Sequence, residues 1–336
     1  MRLYTSDGWA DIPSIVSRSR PFTIVVGGRG TGKTFGALQY AQEKALAGDG
    51  RFMYLRRLQS QVDLISRPEY SPFKSVDRVT GLDTVSKALT KYTSGFYVDG
   101  SLTGYCAALS TFANLRGFDG SDIDLLILDE AIPEHHERPL KEEFAAFLNC
   151  YETINRNREL EGRKPLQALL MANSNALGNP YFLGWGLVKK SLDMIRKNSS
   201  VYDDPSRGLL LVMLHDSPVS EQKKDTALYR SSENIREMAL ENRFYDKDLS
   251  TYCNRHPREL EPLAICGEIC FYRIKNGDGY HCTTHRSGSP PVYEASPLDI
   301  KRFIRDKGFL LNSYLSRRLT FDSPDSEFIF RSYFNT

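Results

Sequence analysis

The stretch that decides the fold is Gly27-Gly28-Arg29-Gly30-Thr31-Gly32-Lys33-Thr34. It fits the phosphate-loop pattern G-x-x-x-x-G-K-[ST], in which backbone N–H groups cradle phosphate oxygens. Its surroundings are those the motif requires. Phe22-Thr23-Ile24-Val25-Val26 is a β-branched and aromatic run that reads as a buried strand. Lys33 to Ala47 has helical composition and stops before Gly48-Asp49-Gly50. Arg51 to Arg56 reads as the next strand, which completes a βαβ unit and predicts a parallel sheet with right-handed crossovers.

Each loop residue then has an expected task. The amides of Gly27, Gly28, Arg29, Gly30, Thr31 and Gly32 face phosphate, with the positive end of the following helix behind them. Lys33 neutralises the β/γ oxygens of ATP, and the Thr34 hydroxyl ligates Mg²⁺. Arg29 stands where small residues are usual, so it could reach the γ-phosphate or alternate between two carboxylates.

Further along, Leu125-Leu126-Ile127-Leu128-Asp129-Glu130 is an apolar strand ending in two carboxylates. Asp129 is expected in the magnesium shell, and Glu130 is placed to polarise the attacking water. Leu166 to Met171 reads as another strand, and Asn173 just beyond it either senses the γ-phosphate or caps a turn. Arg156 and Arg158 are read at the end of a helix over 141–158. Two residues apart is about 200° around a helix, so both cannot face one partner. One could be an arginine finger into a neighbouring subunit; alternatively the pair is a solvated basic helix end. Arg116 could meet a DNA phosphate in a pore or lie on the surface. Glu134-His135-His136-Glu137 reads as a solvated helix start.

Composition sets the outer limits. With 336 residues there is room for two domains, and 40% hydrophobic with 26% charged residues is ordinary for globular protein. A net charge of +2 means that any grip on nucleic acid comes from local patches. No run approaches the roughly 18 apolar residues of a membrane span, and the first residues hold no apolar leader core, so a cytoplasmic setting without membrane partners is expected. The six cysteines read as free thiols. Cys266, Cys270, His281, Cys282 and His285 can be written as a zinc pattern. If Leu263 to Ile274 is one strand, however, four residues span about 13 Å, too far for one metal, and only a bend at Gly267 would rescue the site.

The remaining pattern supports an α/β domain over 1–216, a charged helical linker over 217–249, and a small α+β unit over 250–336. Hairpins are expected at Asp99-Gly100 and around Asn276-Gly277-Asp278-Gly279, and a helix from Pro297 to Lys307. No Asn-Lys-x-Asp base-reading motif of guanine-nucleotide switches occurs, nor the Leu-Ser-Gly-Gly-Gln of transporter ATPases. The Asp129-Glu130 pair also departs from small-molecule kinases. What survives is the P-loop additional-strand (ASCE) group with a mainly parallel sheet, whose members move nucleic acid or remodel protein.

Six stretches together resemble the genome-packaging ATPases of φ29-like phages. They are the phosphate loop, Tyr54-Leu55-Arg56-Arg57, Leu128-Asp129-Glu130, Arg156-Asn157-Arg158-Glu159, Asn179-Pro180-Tyr181-Phe182 and Val201-Tyr202-Asp203-Asp204. The last two are not generic to P-loop enzymes. The resemblance implies a homopentameric ring at the portal vertex of an empty procapsid, pumping double-stranded DNA inward and absent from the mature virion. It also implies that Arg156 is the trans-acting finger, that Asn173 couples hydrolysis to neighbours, and that Arg29 is the family's loop arginine. The C-terminal domain is then expected to resemble a vestigial RNase H-like terminase nuclease that docks on the shell or on prohead RNA. Gln59 departs from the lysine that relatives carry after the Arg-Arg pair. Two other readings stay open at this stage: a DNA translocase or helicase working away from a capsid, and a portal component that binds ATP without turnover.

Overall fold

The computed structural model describes residues 1–115, 117–133, 140–174, 177–215, 217–219, 226–227 and 251–334. Arg116, Glu134 to Glu137 and nearly all of the 217–249 linker lie outside the described residues. By compactness the chain divides into one unit of Met1–Ala176 with Asp193–Tyr245, and a second of Leu177–Leu192 with Asp246–Thr336. Residues 177–192, which the sequence runs on from the ATPase domain, group with the second unit.

The first unit is built on a nine-stranded sheet. Its strands are β1 (Phe22–Gly27), β2 (Arg51–Arg56), β3 (Thr84–Ala88), β4 (Thr93–Val98), β5 (Ser101–Ala108), β6 (Ile123–Leu128), β7 (Gln167–Ala172), β8 (Val201–Asp204) and β9 (Leu209–Leu214), in the order β3-β4-β5-β2-β6-β7-β1-β9-β8. The pairings β5-β2, β2-β6, β6-β7, β7-β1 and β1-β9 are all parallel, and antiparallel pairs close both sides. Strand β7 therefore lies between the strand feeding the phosphate loop and the strand carrying Asp129. That inserted strand is what the additional-strand class is named for.

The near-continuous apolar runs follow from this order, because a parallel strand covered on both faces has no solvent side. All six residues of β9 are buried, as are the last five of β1 and β7. The hairpin between β4 and β5 turns on Asp99 (φ 48°) and Gly100 (φ 79°), the two positive values that a tight two-residue turn requires.

Short helices precede and follow the strands: α1 (Ile12–Val16), α2 (Lys33–Leu46), α3 (Gln59–Ile65), α4 (Lys74–Thr80) and α5 (Glu143–Asn155). Helix α5 buries Glu143, Phe147, Cys150, Tyr151 and Ile154, a helical stripe against the sheet. It ends earlier than the sequence suggests. Arg156 is already its C-cap at φ 47°, and Arg158 lies in the turn beyond, so the two arginines are not on one helix.

In the second unit, α6 (Pro180–Gly184) is capped by buried Asn179, whose side chain accepts from the N–H groups of Tyr181 and Phe182. A five-stranded sheet holds β10 (Leu260–Cys266), β11 (Ile269–Ile274), β12 (Tyr280–Thr283), β13 (Val292–Tyr293) and β14 (Leu319–Phe321), ordered β13-β10-β11-β12-β14. The expected single strand over Leu263 to Ile274 is two antiparallel strands, reversed at Gly267 (φ 54°) and Glu268. Two apolar runs joined by only two polar residues read as one. The reversal removes the distance objection to a metal at the cysteines, yet among the described residues no three His, Cys, Asp or Glu side chains gather as ligands.

Candidate nucleotide site

Every parallel strand of the large sheet ends on the same edge, and four ends supply the site. β1 runs into the phosphate loop, β6 into Asp129 and Glu130, β7 into Asn173, and β2 into Arg56. Ligands of open α/β sheets bind beyond such carboxyl ends. Here the ends surround a cavity of about 380 Å³ lined by Arg29 to Phe35, Asp129, Glu130 and Met171 to Asn173.

Positive φ at Gly30 (70°) and Gly32 (84°) lets the loop backbone turn inward, a conformation that side chains disfavour. Gly32 is also the N-cap of α2 and offers no side chain to its first turn, leaving the N–H groups there for an anion. The buried Lys33 ammonium is held over the loop: Nζ donates to the carbonyls of Gly27 (2.9 Å) and Gly28 (2.8 Å), and lies 3.4 Å from Asn173 Oδ1. Asn173 thus reaches the loop lysine from the inserted strand.

On the other side, the Thr34 hydroxyl stands 3.1 Å from both carboxylate oxygens of buried Asp129. A hydroxyl and a carboxylate so placed are the hard oxygen donors that Mg²⁺ takes. Glu130, with its side chain 53% exposed, lines the same cavity. Its φ of 52° is rare for a residue with a side chain, a local strain of the kind found where function fixes geometry.

Two groups at this edge were not singled out as site residues from sequence. Tyr54 donates to Asp129 Oδ2 at 2.7 Å, and burial together with the Asp129 charge holds its phenol well above its usual pKa, so it stays a donor. Arg56 contacts Asp129 Oδ2 at 3.4 Å and ion-pairs with Glu130. Burial works against its charge, but Tyr54, Asp129 and Glu130 outweigh that and raise its pKa. The advance signals were position at a strand end and the Tyr54-Leu55-Arg56-Arg57 stretch of the resemblance, neither of which tells which strand neighbours β6.

Arg156 is elsewhere. It donates to the carbonyls of Phe118 (2.7 Å) and Thr153 (3.3 Å), at the opposite edge of the sheet, near the start of β6. The six residues of β6 alone put roughly 17 Å between the two edges. Arg156 is half exposed and outside its own chain's cavity. Arg158 is buried, ion-paired to Asp124 at 2.6 Å, and donates to the carbonyls of Gly120, Ser121 and Ile123. It anchors the entry to β6.

A family model described as podovirus DNA encapsidation protein (Gp16) matches residues 9–262, three quarters of the chain. The chain belongs to that family. The DNA packaging protein of Bacillus phage phi29 is 26% identical over 234 residues, 68% of this chain and 64% of that protein. That match spans just under two thirds of the relative's length. A chain from the bacteriophage Phi-29 viral genome packaging motor assembly shares the fold over 99% of both chains, with a TM-score of 0.70 at 17% identity. The N-terminal domain of the DNA packaging ATPase from bacteriophage phi29 aligns with a TM-score of 0.50 and 26% identity, covering 61% of this chain and 95% of that domain. The P-loop ATPase fold read from the sequence is thus the fold of the encapsidation family.

Proposed function

We propose that this chain hydrolyses ATP and uses the energy to drive double-stranded DNA into a preformed procapsid, as a homo-oligomeric ring, with five subunits our preferred number, at the portal vertex. The observation that carries the reading is the convergence of Lys33, Thr34, Asp129, Glu130 and Asn173 on one cavity, in a chain of the DNA encapsidation family. Family membership also weighs against a translocase working away from a capsid.

The mechanism rests on position and charge. Loop amides and Lys33 hold the triphosphate, and Thr34 with Asp129 would hold Mg²⁺, which supplies charge neutralisation at the β/γ oxygens. Glu130 polarises the attacking water, while Asn173, within reach of Lys33, registers whether the γ-phosphate is present. Arg29, at the cavity wall, contacts the γ-phosphate. Arg156, remote from its own cavity, completes the site of a neighbouring subunit. Arg116 meets DNA phosphates.

We further assign 1–216 to the ATPase domain, 217–249 to a linker, and 250–336 to a docking domain for the portal, shell or a prohead RNA. The vestigial-nuclease reading of that domain is supported by where its carboxylates are spent. Asp299 closes a capping pair with Ser296 and binds Arg302, and Asp322 accepts from Thr283 and Ser326. Asp278 pairs with Arg318 at the surface. The protein acts in the host cytoplasm and leaves before the virion matures. Among the described residues no helix is long and apolar enough to cross a membrane.

The test is Glu130→Gln beside Lys33→Ala. Glu130→Gln should bind ATP within a few-fold of the parent and lose hydrolysis by about 10²–10⁴, the usual worth of a positioned base. Lys33→Ala should weaken nucleotide binding itself. Hydrolysis by Glu130→Gln at the parental rate would overturn the assignment.

A further inference from the structure

The segment preceding α1 is folded back onto the phosphate loop. The Ala10 N–H donates to the carbonyl of Thr31 (2.9 Å), the Thr5 N–H to that of Trp9 (2.8 Å), and the Asp11 N–H to that of Leu3 (2.9 Å). Tyr4 and Ala10 form an antiparallel bridge, and the Tyr4 hydroxyl donates to the carbonyl of His215 beyond β9. The small turn over residues 4–10 is therefore pinned at both ends, one of them to the loop itself.

Trp9 sits on that turn with its ring against Gly32. A Cβ placed on Gly32 would stand 2.9 Å from Cε3 of the indole, so the aromatic edge covers the loop's last glycine. Trp9 keeps 43% of its surface exposed. It lies outside the cavity that receives the phosphates, one residue from Lys33 on the loop side.

The polarity of a bound triphosphate follows from the cavity. Its γ end belongs with Glu130 and Asn173 on the strand side, so the nucleoside must leave past the loop and the first turn of α2, where Phe35 lines the wall. Resting on the ATPase reading above, we propose that Trp9 stacks on the base of the nucleotide and makes the site select a purine nucleoside triphosphate over bare polyphosphate. A rigid aromatic on a backbone-pinned turn offers a flat platform at low entropic cost, and stacking tolerates any purine.

The proposal separates the base from the phosphates, and so does its test. Affinities of the full chain for MgATP and for magnesium tripolyphosphate are measured for the parent, Trp9→Ala and Trp9→Phe. Trp9→Ala should weaken ATP about 5- to 100-fold and leave tripolyphosphate within two-fold; Trp9→Phe should recover most of the loss. Trp9 and Trp185 are the two tryptophans, so Trp185→Phe leaves Trp9 as sole reporter. Its emission should be quenched by ATP and not by tripolyphosphate. Unchanged ATP affinity in Trp9→Ala, or equal weakening of both ligands, would make Trp9 a packing prop for Gly32 and overturn the proposal. Should Trp9→Ala not fold, Trp9→Phe and the Trp185→Phe fluorescence decide: no ATP-specific quenching also overturns it. A parent that binds neither ligand would instead sink the ATPase reading, and this one with it.

Discussion

The two edges of the large sheet each carry an arginine pair, and the pairs are divided in the same way. At the edge where the strands end, Arg57 is buried against Glu143 (2.7 Å) while Arg56 turns to Asp129 and Glu130. At the edge where they begin, Arg158 is buried against Asp124 while Arg156 faces out. In each pair one guanidinium fixes the backbone that presents the other. A planar fork with five donors suits that anchoring role, because it can satisfy several carbonyls and a carboxylate together. The difference lies in what the presented arginine meets: Arg56 meets carboxylates of its own chain, whereas Arg156 lies at the far edge from its own cavity, and on the proposed reading it serves a neighbouring copy.

The sharpest way to break that contrast is Arg156→Ala. Arginine fingers are worth about 10³–10⁵ in rate where they act in trans. Rings of this variant should bind ATP as the parent does and lose stimulated hydrolysis by a factor in that range. Mixing Arg156→Ala with Glu130→Gln subunits should restore activity at interfaces that join an intact Arg156 to an intact Glu130. Mixed rings no more active than either parent preparation would assign Arg156 a local role, holding the Phe118 carbonyl and nothing more.

How far the sequence carried differs between the two edges for a physical reason. Lys33, Thr34, Asp129 and Glu130 sit within a few residues of a strand's apolar run, so local pattern located them. Asn173 followed the same rule. Tyr54 and Arg56 did not, because their relevance depends on β2 lying beside β6, a pairing across some seventy residues that periodicity does not encode. Arg156 and Arg158 were misplaced on a helix because Glu143 to Arg158 keeps helical composition; the stop is a positive φ at Arg156, which no glycine or proline announces. In the second unit the Gly267-Glu268 reversal stays only an alternative in the sequence for the converse reason, a turn too short to interrupt the apolar pattern. Trp9 gave no signal at all, since its partner is a loop glycine.

The anchors should separate next, in stability. Arg57 and Glu143 are both essentially buried, at 2% and 0% side-chain exposure. Arg57→Ala strands a buried carboxylate that retains the Leu140 N–H (2.8 Å), and should cost about 3–5 kcal/mol. Arg158→Ala leaves Asp124, 43% exposed, free to hydrate, so its cost is the unmade bonds to the Gly120, Ser121 and Ile123 carbonyls, about 1–3 kcal/mol. Denaturant unfolding of the two variants should rank them in that order. Equal losses would mean that the two anchors are buried alike in the assembled protein.

The smallest effect is the most discriminating for the Arg158 anchor. If the guanidinium is held chiefly by backbone carbonyls, its carboxylate partner is dispensable. Asp124→Asn keeps the shape and a carbonyl oxygen facing Nη1, removing only the charge. The pair is lopsided, with Arg158 at 4% side-chain exposure and Asp124 at 43%, so water screens the acid and the ion pair itself is worth little. The expected loss is below about 1 kcal/mol, with trans-stimulated hydrolysis through Arg156 unchanged. Suppose instead that Asp124→Asn costs as much as Arg158→Ala. The charge would then be holding the arginine, the three carbonyl bonds would be its consequence, and the likeness to the Arg57–Glu143 pair would be complete.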